Sequence, residues 1–378
     1  EDGAALEYAS DAMKDNEKVV SAAMRNARGP FVFADASDRL KNNKKMVVEV
    51  VKLFPHALFH VSDRLRDDKK IAMVAVKGCG RALQLVSDRL RNDEDVCIAA
   101  INQNLDALDY VPPEMKDNEK VALTAIAKEP DCLLEVSPGM KNNERVVRAA
   151  ISGNPRTLQY ASKKLRDNIE IVRAAVEEDY YVLKFASNRL KNAVRFVTAA
   201  VSKNGLALQH ASVKLLNNER VVLAAVTQDG LALKHVDGQF AEKIRNNEKI
   251  VMAAVTQNGH ALKHASAFWY SEKVVAAAVS RNGLALEHAV EEMRNNERIV
   301  VAAVSQDGLA LQHASDAMKN TRSVVLAAVS QNGRALQWTS REQSSDVEIV
   351  CAALRQDPTV IQWISRRFIV DAMTQAPG

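Results

Sequence analysis

The sequence has few aromatic residues, little net charge and no long hydrophobic run. Aromatic side chains make up 5% of the 378 residues, which is little for a surface that stacks on nucleic-acid bases. The 51 basic and 47 acidic residues leave a net charge of +4, so the clear basic excess of a nucleic-acid-binding domain is missing. No apolar run approaches the roughly 18–20 residues that span a bilayer. We therefore expect a protein that does not cross a membrane.

Cysteine pairs and catalytic motifs are also missing. The four cysteines, Cys79, Cys97, Cys132 and Cys351, form no CxxC motif and keep no repeat phase, which favours reduced thiols in a reducing, intracellular compartment. The sequence contains no P-loop, dinucleotide fingerprint, HExxH or GxSxG motif, so we expect neither enzyme activity nor a cofactor. The chain starts at Glu1, inside a repeat, which predicts a missing N-terminus and leaves the organelle unknown.

What the sequence does contain is one motif that recurs from end to end. Its clearest copy is Asn217–Val236, NNERVVLAAVTQDGLALKHV. Asn218 is a good helix N-cap, and Glu219 places a carboxylate at the positive end of the helix dipole. Valines and alanines then form one apolar face, and Gly230 suits a left-handed turn that ends the helix. A second, shorter apolar face follows, so the motif predicts a helix, a tight turn and a helix in about 25 residues.

Fourteen copies of the longer helix follow one another along the chain. Thirteen of the fourteen predicted helix starts carry a residue that can cap, and Ala193 is the exception. Short helices cannot bury their apolar faces alone and must stack on neighbouring copies. The sequence therefore predicts an all-α fold, an α-solenoid of about fourteen 25-residue helix-turn-helix repeats. We expect a single continuous solenoid over 1–378, with irregular junctions near 25–36 and 237–271 and a C-terminal capping segment at 359–378.

The repeated words NNERVV, AAV, QNG and HAS resemble the short helical repeats catalogued as domain of unknown function 4116. The resemblance covers essentially the whole chain, with about two 25-residue units in each family domain. It departs from the pattern at Ala193-Val194, Phe268–Tyr270 and Ser344-Ser345. The family is common in algae and other protists and occurs in some bacterial proteins. Membership implies an algal or protist source, and it implies no known catalytic or binding residue.

A row of histidines is the first candidate site. One repeat position carries histidine in five consecutive units, at His210, His235, His264, His288 and His313. Other copies hold an aromatic ring there, and neighbouring copies should lie about 8–10 Å apart, too far for two ligands of one metal ion. The pattern therefore favours half-buried packing, with a stripe that contacts a partner as the alternative. His260 and His264 form the one pair that is spaced to share an ion, and we predict no metal site.

Aromatic residues at irregular positions are the second candidate. Phe268, Trp269 and Tyr270 stand where other copies have a basic-Asn-Asn turn. Three adjacent rings cannot all point inward, and Trp and Tyr are frequent in interface hot spots. These residues are predicted either to anchor a protein partner or to repack around the nearby insertion. Trp338 and Trp363, which hold the histidine position, are further predicted anchors.

Two surfaces of the predicted repeats are further candidates. A basic residue precedes most helix caps, as at Lys41 and Arg66, but glutamates such as Glu119 interleave with the row. We interpret it as a mixed-charge edge, with a phosphate-binding track as the alternative. On the longer helix, the position of Leu223 is apolar in most copies, which indicates either a half-exposed groove that binds a partner or a second wall of the core.

Together these patterns favour a non-enzymatic protein–protein interaction scaffold, or a linker subunit of a larger assembly, that binds other proteins along an extended surface. A nucleic-acid-binding helical repeat protein that uses the basic edge is the second hypothesis, and the balanced charge disfavours it. A bacterial host-directed effector is the third hypothesis, and it rests on the distribution of the family.

Overall fold

The computed structural model describes residues 3–236 and 241–364, and every regular element in these two ranges is a helix. The predicted all-α repeat fold is therefore confirmed. The chain divides into two compact units, a first unit, Glu1–Phe185, and a second unit, Ala186–Gly378. The single continuous solenoid over 1–378 stays a prediction. Across the described ranges, no helix is both long and apolar enough to cross a membrane.

Each regular repeat contains three helical elements, where the sequence predicts two. Next to the clearest copy of the motif, Gly205–His210 is a 3-10 helix, Val213–Leu216 is a single α-helical turn, and Glu219–Gln228 is a ten-residue α-helix. The predicted shorter helix is thus two short pieces. A 3-10 helix is suited to such a segment, because its hydrogen-bond geometry supports only a few residues in a row.

A serine separates the two short pieces. The Ser212 N–H donates to the Lys191 carbonyl oxygen in the preceding repeat at 2.9 Å, and its hydroxyl donates to Asn192 Oδ1 at 2.8 Å. The backbone of Ser212 is extended, so the helix breaks where the chain bonds to its neighbour. The same hydroxyl bond joins Ser62 to Asn42, Ser162 to Asn142, and Ser315 to Asn295.

The long helices are numbered α1–α14 in chain order. In the first unit they are α1 (Glu17–Arg25), α2 (Lys44–Leu53), α3 (Lys69–Gly78), α4 (Glu94–Gln103), α5 (Glu119–Lys128), α6 (Glu144–Gly153) and α7 (Ile169–Glu178). In the second unit they are α8 (Val194–Lys203), α9 (Glu219–Gln228), α10 (Glu248–Gln257), α11 (Glu272–Arg281), α12 (Glu297–Gln306), α13 (Arg322–Gln331) and α14 (Val347–Gln356).

Short elements fill the space between the long helices. The 3-10 helices of the repeats are Gly3–Tyr8, Pro30–Asp35, Pro55–His60, Gly80–Leu85, Leu105–Tyr110, Pro130–Leu134, Pro155–Tyr160, Tyr180–Phe185, Gly205–His210, Gly230–His235, Gly259–His264, Gly283–His288, Gly308–His313, Gly333–Trp338 and Pro358–Trp363. The short α-helical turns are Asp11–Lys14, Asp38–Lys41, Asp63–Arg66, Asp88–Arg91, Pro113–Lys116, Pro138–Lys141, Asn188–Lys191, Val213–Leu216, Ala241–Arg245, Glu291–Arg294 and Asp316–Lys319. A 3-10 turn replaces the α-helical turn at Leu165–Asp167, Ser266–Phe268 and Gln343–Ser345.

The predicted starts of the long helices are confirmed. The Asn118 side chain, for example, accepts from the N–H groups of Lys120 and Val121 at 2.9 and 3.1 Å. Thr321 makes no cap bond and donates its hydroxyl to the Ala317 carbonyl oxygen instead, and Ala193 has no cap bond either. The side chains that do cap are Asn16, Asn43, Asp68, Asp93, Asn118, Asn143, Asn168, Asn218, Asn247, Ser271, Asn296 and Asp346.

The turn glycines do not adopt the left-handed backbone that the sequence predicts. The φ angle of Gly308 lies outside that region, and a Cβ atom on Gly308 would lie 2.4 Å from the Ala328 carbonyl oxygen of the next repeat. Glycine is therefore required because neighbouring repeats pack closely at the turn. A Cβ would meet a backbone oxygen of the following repeat at 2.3–2.5 Å also at Gly80, Gly205, Gly230, Gly259, Gly283 and Gly333.

The core of each repeat lies between its long helix and its 3-10 helix. In α9, Val221, Val222, Ala225 and Val226 are fully buried, and equivalent apolar positions are buried throughout both units. Two parts of the predicted irregular regions lie outside the described residues. They are 237–240, at the second junction, and 365–378, most of the predicted capping segment.

Candidate functional site

The histidine row lies on the 3-10 helices, and its side chains are half-buried. Burial lowers the pKa of His235, His264, His288 and His313, and nearby cations, such as Arg245 beside His264, lower it further. The buried His235 Nε2 has no hydrogen-bond partner. His210 is half-buried in the same position. This placement is that of packing residues, and contact of the row with a partner stays a prediction.

Within 3–236 and 241–364, no group of three or more His, Cys, Asp or Glu side chains could hold a metal ion. The one pair spaced for a shared ion includes His260. Its Nε2 lies 2.7 Å from Asn282 Nδ2 of the next repeat, so this imidazole has a partner other than His264.

The aromatic cluster divides into packed and exposed rings. The Trp269 indole N–H donates to the Leu262 carbonyl oxygen at 2.9 Å, and both Phe268 and Trp269 are half-buried. The Tyr270 side chain is 69% exposed. The prediction that the three rings do not all point inward is confirmed, and their role as anchors stays a prediction. Of the other two predicted anchors, Trp338 is 39% exposed, and the side chain of Trp363 lies outside the described residues.

The charged edge contains ion pairs between neighbouring repeats. Lys69 Nζ lies 2.9 Å from an oxygen of Asp93 and 2.7 Å from one of Asp95. Lys120 pairs with Glu94 at 2.7 Å. Further pairs between neighbouring repeats join Arg145 to Glu119, Lys273 to Glu248, and Arg322 to Asp346. These cations follow the helix caps. In the row that precedes the caps, Arg66 pairs with Asp63 and Arg91 with Asp88.

The outer face of the long helices carries a row of mostly apolar, half-buried side chains. The position of Leu223 is half-buried in twelve of the fourteen copies and exposed at Arg148 and Arg173. We call this row the outer stripe. Its members are Ser21, Val48, Met73, Ile98, Leu123, Arg148 and Arg173 in the first unit, and Thr198, Leu223, Met252, Ala276, Val301, Leu326 and Cys351 in the second.

A shallow groove of about 590 Å³ follows the outer stripe between α3 and α4. Met73 and Ile98 form its floor, and Lys69, Lys77 and Asp95 lie among its other lining residues. A smaller groove of about 230 Å³ lies between α1 and α2, against Ser21 and Leu53 among others. Both grooves expose apolar atoms at the junction of two repeats, where a partner could insert a side chain.

Comparison with protein families gives matches to Domain of unknown function (DUF4116) over 28–66, 68–116, 118–166, 147–191, 195–241, 271–319, 296–344 and 321–369. These ranges cover well over half of the chain. The chain belongs to this family. No matched range includes 242–270, a stretch that contains the aromatic cluster Phe268–Tyr270. A comparison with curated proteins found no match to this chain.

Sequence reasoning missed two features of this DUF4116 chain. The first is a junction pair, formed by the turn residue and the last residue of the next long helix. The Gly308 N–H, for example, donates to Gln331 Oε1 at 2.6 Å, 23 residues further on. The second is a set of exposed lysines on both sides of the outer stripe, as at Lys70 and Lys77 of α3. The junction pair could have been found as residue types that change together at a separation of 23. The lysines could have been found from their spacing of seven residues on one helix.

Proposed function

We propose that this DUF4116 chain is a non-enzymatic scaffold that binds other proteins through the outer faces of its long helices, as a linker subunit of a larger assembly. The observation that supports this most is the outer stripe. Half-exposed apolar side chains that recur in register over successive repeats are typical of interaction surfaces. Helical repeat proteins use such extended surfaces to contact several partner elements at once.

The charged edge favours protein partners over nucleic acid. Polyanion binding draws its affinity from cations that neutralise phosphates and release counterions. Along this edge, Lys69, Lys120 and Lys273 are already paired with carboxylates of neighbouring repeats. The net charge of +4 adds no strong long-range attraction for a polyanion.

The thiols support a reducing, intracellular compartment as part of this proposal. Cys97 and Cys132 are buried and free. Burial raises the pKa of Cys97 to about 12 and that of Cys132 to about 11, so both remain protonated and unreactive. The Cys97 thiol donates to the Arg91 carbonyl oxygen at 3.0 Å, which is the role of a packed core residue.

Affinity purification of the tagged chain under native conditions tests the scaffold. Ile98→Glu and Val301→Glu each place a charge in the outer stripe, one in each unit, and each should reduce the co-purifying proteins at least tenfold. Val213→Glu is the matched control, because Val213 is 67% exposed and lies on a short helical turn off the stripe. Circular dichroism checks that all three variants remain helical. The proposal fails if no protein co-purifies, or if the stripe variants retain the same proteins as the control.

The aromatic anchors need a separate test. Trp269 is a poor choice for it, because its indole bonds to the Leu262 carbonyl oxygen inside the fold. Tyr270→Ala and Trp338→Ala instead remove exposed rings. We expect each to weaken partner recovery with little loss of helicity. Unchanged recovery in both variants would remove the anchor role from these residues.

A further inference from the structure

The outer stripe of the first unit has basic residues on both of its sides. On α2, Lys45 and Lys52 flank Val48. On α3, Lys70 and Lys77 flank Met73. Each pair is seven residues apart, which is two helical turns, so the lysines lie on the same face as the stripe.

These four lysines are free to meet a ligand. All four are exposed, and within the described residues none of their ammonium groups forms an ion pair or a hydrogen bond. Their neighbours differ, because Lys44 pairs with Asp68, and Lys69 pairs with Asp93 and Asp95. Each of these carboxylates thus has another cation as its partner, and Asp93 and Asp95 share the single charge of Lys69.

Two carboxylates lie on the face itself. Glu49 is exposed and follows Val48 on α2, and Asp95 is exposed on α4, in the position that Lys45 and Lys70 hold on their helices. Four lysines against these two carboxylates leave this part of the outer face with a net positive charge, around an apolar centre of Val48, Met73 and Ile98. The surface therefore selects an apolar ligand with negative flanks.

The spacing of the lysine rows matches the width of an α-helix. Seven residues rise about 10.5 Å along a helix, so the row through Lys45 and Lys70 lies roughly 10 Å from the row through Lys52 and Lys77. An α-helix with its side chains is about 10–12 Å in diameter. A helix that crosses α2, α3 and α4 would therefore fit between the rows and place its two flanks beside them.

The length of the surface is also adequate. Neighbouring long helices pack about 8–10 Å apart, so Val48, Met73 and Ile98 span roughly 20 Å. That distance corresponds to about 14 residues of a bound helix at 1.5 Å per residue. Apolar side chains at i, i+3, i+4 and i+7 are the usual anchors when a helix binds in a groove, and the groove between α3 and α4 is open to receive one.

We propose that the outer face of α2, α3 and α4 binds an amphipathic helix of a protein partner that carries an apolar face and an acidic residue row on each flank. The apolar face lies on Val48, Met73 and Ile98, and the acidic rows meet the two lysine rows. This assignment rests on the scaffold function proposed above and names its ligand class. A nucleic-acid strand would use the lysines but leave the apolar centre unpaired.

Fluorescence anisotropy with the full chain tests this proposal. The probe is a labelled 16-residue helical peptide with leucines at i, i+3, i+4 and i+7 and glutamates on both flanks. A scrambled peptide of the same composition is the control probe. The variant K70E/K77E reverses both lysines on α3, and K163E/K164E makes the same charge change at two exposed lysines off the outer face. We expect the amphipathic peptide to bind the unmodified chain and K163E/K164E equally, and K70E/K77E at least tenfold more weakly.

Two further arms separate the ligand classes. A peptide with lysines in place of the flanking glutamates should bind K70E/K77E better than it binds the unmodified chain. Vesicles of phosphatidylcholine and phosphatidylserine, and polyuridylate RNA, should bind no better than the scrambled peptide. Equal binding of the scrambled peptide, tighter binding of vesicles or RNA, or no binding of the amphipathic peptide would each overturn the proposal.

A failure of this helix-binding proposal can be distinguished from a failure of the proposed scaffold function. If the peptide does not bind but Ile98→Glu or Val301→Glu still removes co-purifying proteins, the scaffold stands and the helix assignment is wrong. If neither the peptide binds nor any protein co-purifies, both proposals are wrong.

Discussion

The two units join their repeats by different contacts. In the first unit, Pro55 is opposed by Gly78, and Pro130 by Gly153. A Cβ on these glycines would lie 2.8 and 2.4 Å from the proline rings. In the second unit, a turn glycine donates its N–H to the glutamine that ends the next long helix. These bonds join Gly205 to Gln228, Gly230 to Gln257, Gly283 to Gln306, Gly308 to Gln331, and Gly333 to Gln356.

The difference shows that a junction between repeats is defined by two residues together, the turn residue and the last residue of the next long helix. Proline has no N–H to donate, so a glutamine opposite it would have no donor to accept from. Its ring also occupies the space into which that side chain would extend. The first unit contains the glycine–glutamine junction too, between Gly80 and Gln103. The junction type is therefore set locally by each pair, and the units differ in which pair they mostly use.

The units also differ in their titratable groups. In the first unit, hydrogen bonds from Ser37 and Arg39 lower the pKa of Asp15, and bonds from Ser87 and Arg89 lower that of Asp67. The second unit has the row of half-buried histidines. Asp346 and Asp357 of the second unit also have lowered pKa values. The stability of both units is therefore sensitive to strong acid, and the histidine row makes the second unit sensitive to mild acid as well.

Gly308→Ala should have the largest effect, because it tests the close approach at the glycine junction. The added Cβ would lie 2.4 Å from the Ala328 carbonyl oxygen and 2.9 Å from Asn332 Cβ. We expect a loss of about 2–3 kcal/mol in the free energy of unfolding of the second unit, since backbone must shift to relieve the overlap. All three tryptophans lie in that unit, so urea unfolding followed by tryptophan fluorescence reports it directly.

Gly29→Ala is the control for that substitution. Gly29 has an extended backbone, and a Cβ there would meet nothing within 4 Å. Gly29 lies in the first unit, so hydrogen exchange of α2 under native conditions measures its effect, which should stay within about 0.5 kcal/mol. A cost at Gly29 equal to that at Gly308 would show that the loss does not come from contact between neighbouring repeats.

Converting one junction type into the other tests whether the two residues of a junction pair depend on each other. Gly153→Gln alone should clash with the Pro130 ring, and Pro130→Gly alone should leave a gap against Gly153. The double substitution recreates the pair found at Gly308 and Gln331. We expect a favourable coupling energy of about 1–2 kcal/mol in a double-mutant cycle, since the residues are in direct contact. Hydrogen exchange of α6 under native conditions measures it, and additive effects would contradict the pairing.

Gln331→Ala should have a smaller effect on the same junction. It removes the acceptor of the Gly308 N–H, a bond of 2.6 Å in a partly buried setting. The expected cost is about 1 kcal/mol, together with faster hydrogen exchange of the Gly308 amide. Gln312→Ala, at a half-buried glutamine on the 3-10 helix Gly308–His313, is the matched control and should leave that exchange rate unchanged. An unaltered rate in Gln331→Ala would mean that the bond does not protect the junction.

Local signals in the sequence were sufficient to predict where the long helices start, and they were insufficient to predict the conformation of the turns. Asn118 and its equivalents marked the helix starts correctly, because capping depends on residues two or three positions apart. Gly230 was misinterpreted, because glycine has two uses and the sequence of one turn does not distinguish them. Its true constraint is the Ala254 carbonyl oxygen of the next repeat. Likewise, the break at Ser212 depends on Asn192, 20 residues away.

The same distinction holds for the candidate site. The outer stripe was visible from the apolar bias at the position of Leu223, because a helical face has a fixed period. The number of free lysines beside it was not visible. Lys69 and Lys70 are adjacent in sequence, yet only Lys69 reaches Asp93 and Asp95. Charge pairing between repeats depends on their packing, which only the structure supplies.

Mild acid should lower the stability of the second unit more than that of the first. This difference is the smallest free-energy change that we predict. Burial lowers the pKa of His264, His288 and His313, so the folded state binds fewer protons than the unfolded state below the unfolded pKa of about 6.5. The contribution of the histidine row to the free energy of unfolding of the second unit should therefore be fully present above that pH. It should fall as the pH drops below it. The carboxylates of the first unit, such as Asp15 and Asp67, have lowered pKa values, so their contribution is lost only below about pH 4.

Thermal unfolding at pH 7.5 and 5.5 measures this difference. Tryptophan fluorescence reports the second unit, and hydrogen exchange of α2–α6, corrected for the intrinsic effect of pH, reports the first. Replacing His235, His264, His288 and His313 together with tyrosine, the residue that the first unit carries at Tyr110 and Tyr160, should abolish the acid-dependent loss in the second unit. If this fourfold variant keeps that loss, groups other than these histidines cause it. Equal losses in both units would contradict the separation of the two pH ranges, because the first unit has a lowered histidine pKa only at His60 among its described residues.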